Sequence, residues 1–256
     1  MDAYRSMLLT AQPHSIVVLH ACAHNPTGCD PTREQWAEIG RIMKERQLFP
    51  LFDAAYLGFN SGSVDEDAYA IRLFVNELEM EAAVAVSFAK NMGLYGERVG
   101  CTFLVTKTAE IAGNCESVME RLQRSEVSNP PAFGAKIASL ILDDDKLTEM
   151  WYADLRTMCS RIRQMREALY RLLVENGAPG EWSHVVNQSG MFSFLGLPYD
   201  IVIKLRERYH IYMADNSRIS LAGLNTSNVE YVAKAITESL QASEPATKGP
   251  AVTAML

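Results

Sequence analysis

Four short apolar runs separated by polar stretches constrain this chain more than any other feature: Ser15–Cys22, Phe49–Phe52, Ala82–Ser87 and Val99–Val105. Ser15-Ile-Val-Val-Leu-His-Ala-Cys22 reads as a strand buried on both faces, and the other three as further strands. After the first run, Ala23-His-Asn-Pro-Thr-Gly28 is a cluster of turn formers. Asp30-Pro31 then predicts a helix, with a cap residue followed by proline in the first turn, ending near Arg46. Another helix is expected over 67–76. Strands separated by helices require right-handed crossovers, so the expected fold class is α/β with a mainly parallel sheet. In such sheets ligands sit beyond the carboxyl ends of the strands. Asn25, Asp53 and Lys90 each follow a strand, so the topology predicts all three on one rim.

The second half has a different rhythm. Leu147 to about Asn176 reads as one long helix, with Trp151, Leu155, Met158, Ile162, Met165 and Leu169 forming a core-facing stripe at helical spacing. Strands are expected at 190–195, 211–213 and 218–221, with helices over 199–209 and 227–240. That is a small α+β domain. The predicted organisation is a large domain over 1–145, the long helix with the small domain over 146–242, and a disordered tail over 243–256 rich in Ala, Ser, Pro and Thr.

Composition narrows the function. A net charge of −7 with no basic stripe argues against nucleic-acid binding. No apolar run approaches the length of a membrane span, and the start of the chain lacks a signal-peptide core. Five scattered cysteines form no CxxC pair, so neither a disulfide framework nor a metal site is expected, and His20 and His24 match no zinc spacing. A cytoplasmic location is the default expectation.

Lys90 carries most of the chemistry. It closes the run Ala82–Ser87 and precedes Asn91-Met-Gly-Leu-Tyr-Gly-Glu-Arg98. An ammonium at the end of a buried strand is desolvated, and its amine becomes nucleophilic. Such an amine suits a Schiff base with a carbonyl, while Ser87 and Arg98 suit a phosphate. The combination suggests pyridoxal phosphate. Asp53 then fits a protonated pyridine nitrogen, and Tyr56 and Asn25 fit the phenolic oxygen of the same ring. Arg218 and Arg124 offer bidentate forks for carboxylates. Taken singly, each residue has a plainer role: a surface lysine, a turn cap, a packed aromatic or a solvated charge.

Together these segments resemble a known family. His20-Ala-Cys-Ala-His-Asn-Pro-Thr-Gly28, Phe52-Asp-Ala-Ala-Tyr56 and Ser87-Phe-Ala-Lys-Asn-Met-Gly-Leu-Tyr-Gly-Glu-Arg-Val-Gly100 resemble, in that order, the class I aspartate aminotransferases of fold type I, and among them the cytosolic form. The likeness runs from about Ser15 to Leu240. It implies a PLP-dependent transfer of the amino group between L-aspartate or L-glutamate and 2-oxo acids. Lys90 would carry the cofactor and shuttle the proton. Asn25, Asp53, Tyr56, Ser87 and Arg98 would bind the cofactor, and Arg218 with Asn25 would hold the substrate α-carboxylate. Arg124 would reach the distal carboxylate across a homodimer interface.

Three departures from the family pattern bear on that reading. Ala89 stands where the family usually has a serine, removing a phosphate donor of the kind that contributes about 1.5–3 kcal/mol. Val127 stands where a tryptophan is usual, and Glu126 is expected to compete for Arg124. An N-terminal part of the family pattern has no counterpart here, which predicts uncovered sheet edges and apolar faces. Alternative readings are therefore a non-catalytic paralogue that pairs with a full-length subunit, or a PLP enzyme of altered outcome such as an amino-acid racemase.

Overall fold

The computed structural model describes residues 1–242. The chain divides into two units, one of Met1–Cys22 with Pro31–Arg156, the other of Ala23–Asp30 with the described residues from Thr157 onward.

In the first unit, helix α1 (Asp2–Thr10) precedes strand β1 (Ile16–His20), helix α2 (Arg33–Glu45) and strand β2 (Phe49–Ala54). Two short helices, α3 (Val64–Asp67) and α4 (Tyr69–Arg72), and a π-helical turn (Leu73–Glu77) lead to β3 (Ala82–Ser87). A single helical turn, α5 (Phe88–Asn91), separates β3 from β4 (Gly100–Val105). The sheet order is β1-β2-β3-β4. The first two pairings are parallel and β3–β4 is antiparallel, so the sheet is mainly parallel, as expected. Its packed side centres on Trp36, Phe52 and Phe74, whose ring centroids lie 5.2–6.3 Å apart in tilted and edge-on geometries.

The structure corrects several expectations in this unit. Strand β1 is not buried on both faces. Val17 and Leu19 point into the core, but Ile16 and Val18, on the other face of the strand, are 66% and 59% exposed, because only one face of β1 is packed against. Helix α2 is capped by Thr32 rather than Asp30. The Thr32 hydroxyl accepts from the Gln35 N–H while the Gln35 side chain accepts from the Thr32 N–H, a capping box. The expected 67–76 helix is broken into α3, α4 and the π-helical turn. Asp67 turns its carboxylate back to accept N–H groups from Gly58 (2.8 Å), Asn60 (3.0 Å) and Ser61 (2.9 Å), tying down the loop after β2.

Two helices escaped the sequence reading, α6 (Ala109–Glu126) and α7 (Phe133–Leu142). None of the α6 side chains is buried, and Ile111, Val118, Met119 and Leu122 lie open, as do Phe103 and Leu104 on β4. The predicted uncovered apolar faces are thus present. Helix α8 (Asp145–Glu175) is the long helix, and Trp151, Leu155, Ile162, Met165 and Leu169 on it are buried, with Met158 half-buried.

In the second unit, α9 (Ser183–Asn187) leads into strand β5 (Phe192–Phe194), helix α10 (Tyr199–Tyr209), strand β6 (Arg218–Ser220) and helix α11 (Val229–Gln241). Strands β5 and β6 pair antiparallel, with Phe194 opposite Arg218. Residues 211–213 are irregular, not a strand, and the predicted tail over 243–256 lies outside the described residues.

Candidate functional site

Three strand ends in the first unit carry the candidate groups. The registers place His20 opposite Asp53 and Asp53 opposite Ala85, so the ends of β1, β2 and β3 are aligned. Asp53, half-buried, accepts the Ala55 N–H at 3.0 Å through Oδ1, which fixes its rotamer and leaves Oδ2 to accept another donor. Tyr56 follows on the same loop and is buried. Lys90 sits in the single turn α5, with Nζ 5.2 Å from the centroid of the Tyr56 ring. It is half-buried beside that ring, not sealed in the core as the sequence suggested, because a strand and a turn end there together.

Lys90 is held from both sides. Before it, the Ser87 hydroxyl accepts the Ala89 N–H at 3.2 Å, so its own O–H remains free to donate. After it, buried Asn91 donates through Nδ2 to the Leu57 carbonyl at 3.3 Å, and the Asn91 carbonyl accepts from Trp151 Nε1 at 2.7 Å. The lysine turn is therefore tied to the Tyr56 loop and to α8. Among the described residues, neither Lys90 nor Arg98 forms an ion pair with a carboxylate.

Arg98 adopts a left-handed backbone, φ 50°, two residues before Gly100, which pairs with Ser87. The hairpin brings Ser87 and Arg98 near each other in the backbone. The guanidinium itself is exposed and donates to the Tyr95 carbonyl at 3.1 Å. Arg124, near the end of α6, donates weakly to Ser128 at 3.4 and 3.5 Å. Glu126 makes no ion pair with it, so the expected competition is absent from this structure. The residues fit an anionic ring compound: an uncommitted ammonium and guanidinium for a phosphate and an aldehyde carbon, a hydroxyl donor, and a carboxylate for a ring nitrogen.

The second unit holds the other pair. Arg218 Nη1 donates to Asn25 Oδ1 at 3.0 Å, and its guanidinium stacks 4.8 Å from the centroid of the Phe192 ring. No carboxylate of the described residues pairs with Arg218 either, leaving the fork open to an incoming carboxylate. The loop bearing Asn25 is built by Asp30, which caps the Ala23 and His24 N–H groups at 2.7 and 2.9 Å instead of opening a helix. His24 Nδ1 lies 2.7 Å from the Thr27 hydroxyl, a contact within the turn itself.

Sequence reasoning missed two groups, Asp67 and Arg166. Both act on main-chain atoms of other segments, so no motif announces them.

The mainly parallel sheet, with a lysine turn and uncommitted cations at its strand ends, defines a class, and the chain belongs to it: residues 1–236 match the family model of aminotransferase class I and II. Within that class the chain is similar to the cytoplasmic aspartate aminotransferase of Saccharomyces cerevisiae, 50% identical over 244 residues, covering 93% of this chain and 58% of that protein. The solved structure from the same yeast cytoplasm matches with TM-score 0.90 over 94% of this chain and 60% of its own. An aromatic-amino-acid aminotransferase from Burkholderia pseudomallei, covalently bound to pyridoxal phosphate, matches at 40% identity and TM-score 0.90 over 93% of this chain and 59% of that one. The chain thus spans a little over half the length of these relatives. The fold is the type I fold of PLP-dependent aminotransferases.

Proposed function

We propose that this chain carries the lysine-bearing part of a PLP-dependent aminotransferase moving the amino group between L-aspartate or L-glutamate and 2-oxo acids. The observation behind this reading is the Lys90 ammonium over the Tyr56 ring, in no ion pair among the described residues. When bound, pyridoxal phosphate supplies an aldehyde carbon for an amine and a ring that accepts electron density from the substrate Cα. Lys90 Nζ would be the nucleophile toward that aldehyde and would accept and return the substrate Cα proton. Asp53 Oδ2 would accept from a protonated ring nitrogen, Tyr56 and Asn25 would serve the phenolic oxygen, and Ser87 and Arg98 would hold the phosphate. Arg218, with Asn25 fixing its fork, would bind the α-carboxylate, and Arg124 the distal carboxylate of a dicarboxylic substrate.

Arg124 favours dicarboxylic over aromatic substrates, a distinction that matters because an aromatic-amino-acid aminotransferase is among the similar structures. The open faces of α6 and β1 support an association with a second subunit, and a homodimer is the proposed assembly. Among the described residues no helix is long and apolar enough to cross a membrane. We place the protein in the cytoplasm with its cytoplasmic relatives. The test is borohydride reduction of the chain incubated with pyridoxal phosphate, followed by peptide mapping and by an assay of oxaloacetate formed from L-aspartate and 2-oxoglutarate. Label on the Lys90 peptide with aspartate-dependent turnover supports the reading. Turnover only after mixing with a full-length aminotransferase subunit favours the pairing alternative, and absence of label at Lys90 removes the enzyme reading.

A further inference from the structure

Arg166, on α8, is only 4% exposed, yet none of the described carboxylates pairs with it. Its Nη1 donates to the Val185 carbonyl at 2.7 Å, and its Nη2 donates to Gly190 at 3.0 Å and Phe192 at 2.8 Å. Burial pushes the guanidinium down to about 10, which leaves it charged at neutral pH. A buried charge is costly unless hydrogen-bonded, and an apolar side chain of similar volume often serves stability as well. A planar guanidinium provides something a hydrocarbon does not: a rigid fork that fixes several carbonyls at once.

The segment that Arg166 grips contacts the segments bearing both members of the Asn25–Arg218 pair. At one end, the Phe192 ring lies under the Arg218 guanidinium, and β5 pairs with the strand that bears Arg218. At the other, the Ser189 N–H donates to the Gly28 carbonyl at 2.6 Å and the Ser189 hydroxyl donates to Asp30 at 2.8 Å. Asp30 in turn caps Ala23 and His24, immediately before Asn25. Gly190 packs against Ala23, where a side chain would collide. A shift of residues 185–192 would therefore move the donor and the acceptor of the pair together or apart.

We propose that Arg166 is a positioning residue for the Asn25–Arg218 pair, holding the backbone of residues 185–192 so that the Arg218 fork is set to receive a carboxylate. The carboxylate part of this inference rests on the function proposed above. The test compares the wild-type chain with Arg166→Met and Arg166→Lys. Backbone hydrogen exchange is followed at 23–30, at 185–192 and, as an internal reference, in α11. Succinate, a dicarboxylate that cannot react, is titrated calorimetrically into the same proteins.

In Arg166→Met, exchange at 23–30 and 185–192 should rise at least roughly tenfold while α11 is unchanged, since local opening is separable from global unfolding. Succinate binding should weaken by about tenfold, and the absorbance of cofactor held at Lys90 should stay as in the wild type. Arg166→Lys, which keeps the charge and loses the fork, should fall between the two. Unchanged protection at 23–30 in both variants overturns the proposal. So does equal loss of protection in α11 in both, which would make Arg166 a general stabiliser. A wild-type chain that does not bind succinate removes the substrate reading, and the exchange comparison then decides the positioning role by itself.

Discussion

Replacing Asp67 by asparagine should destabilise the first unit by about 3 kcal/mol, through a loop that touches the lysine site. The Asp67 carboxylate is 5% exposed and accepts three main-chain N–H groups, from Gly58, Asn60 and Ser61, at 2.8–3.0 Å. Both oxygens are used, Oδ2 twice and Oδ1 once. Hydrogen bonds to a charged group contribute about 1.5–3 kcal/mol each, and a buried N–H left without a partner costs roughly 1–3 kcal/mol. Asparagine keeps one oxygen and presents an NH₂ group to whichever N–H remains. At least one charge-assisted bond is lost and one donor is left facing another. The isosteric change leaves packing intact, so the effect is one of hydrogen bonding. Urea unfolding followed by far-UV circular dichroism measures it as a lower midpoint at unchanged slope, with faster exchange at residues 58–61. A loss below about 1 kcal/mol, with exchange at 58–61 unaltered, would refute the argument, because the network would then contribute no more than an ordinary surface contact.

Three further outcomes follow from other parts of the structure. Gly28→Ala should cost roughly 2 kcal/mol or more in thermal or chemical unfolding, since a side chain is strained in the left-handed region. Gly28 has φ +68°, and an added Cβ would stand 2.7 Å from the Ser189 carbonyl oxygen. Arg218→Lys should weaken succinate binding about tenfold in calorimetry, because an ammonium cannot present a planar fork to a carboxylate. Tyr4 is pushed up to about 12 by burial, so the folded state keeps the phenol proton where the unfolded chain loses it. The associated stability is full below pH 10 and is lost as pH rises through 12, and Tyr4→Phe should flatten that alkaline decline in urea midpoints.

What the sequence revealed, and what it hid, sort by the range of the interactions. Strand β3 (Ala82–Ser87) and helix α10 (Tyr199–Tyr209) fall where apolar patterning put them, since burial and period are local signals. The placement of Asp53, Tyr56, Ser87 and Lys90 at or just after strand ends was legible because each lies in a short motif that closes an apolar run. The face of β1 was misread: an apolar run records what a strand can bury, whereas Ile16 and Val18 lie open on the unpacked face. Helix α6 was given no element in the sequence although Thr108 caps it through the Ile111 N–H; it buries no side chain, so the pattern of core-facing residues that marks other helices is weak there. Asp67 and Arg166 were invisible for a different reason. Their partners are backbone atoms up to 26 positions away in the chain, and main-chain carbonyls and N–H groups carry no sequence signature.

Whether Lys90 holds pyridoxal phosphate is read from the visible absorption spectrum. Purified chain is titrated with pyridoxal phosphate, then with L-aspartate, beside Lys90→Ala. A long-wavelength band that requires Lys90 and bleaches when aspartate is added is the expected result. A band of equal strength in Lys90→Ala, or no band in the wild type, would contradict it.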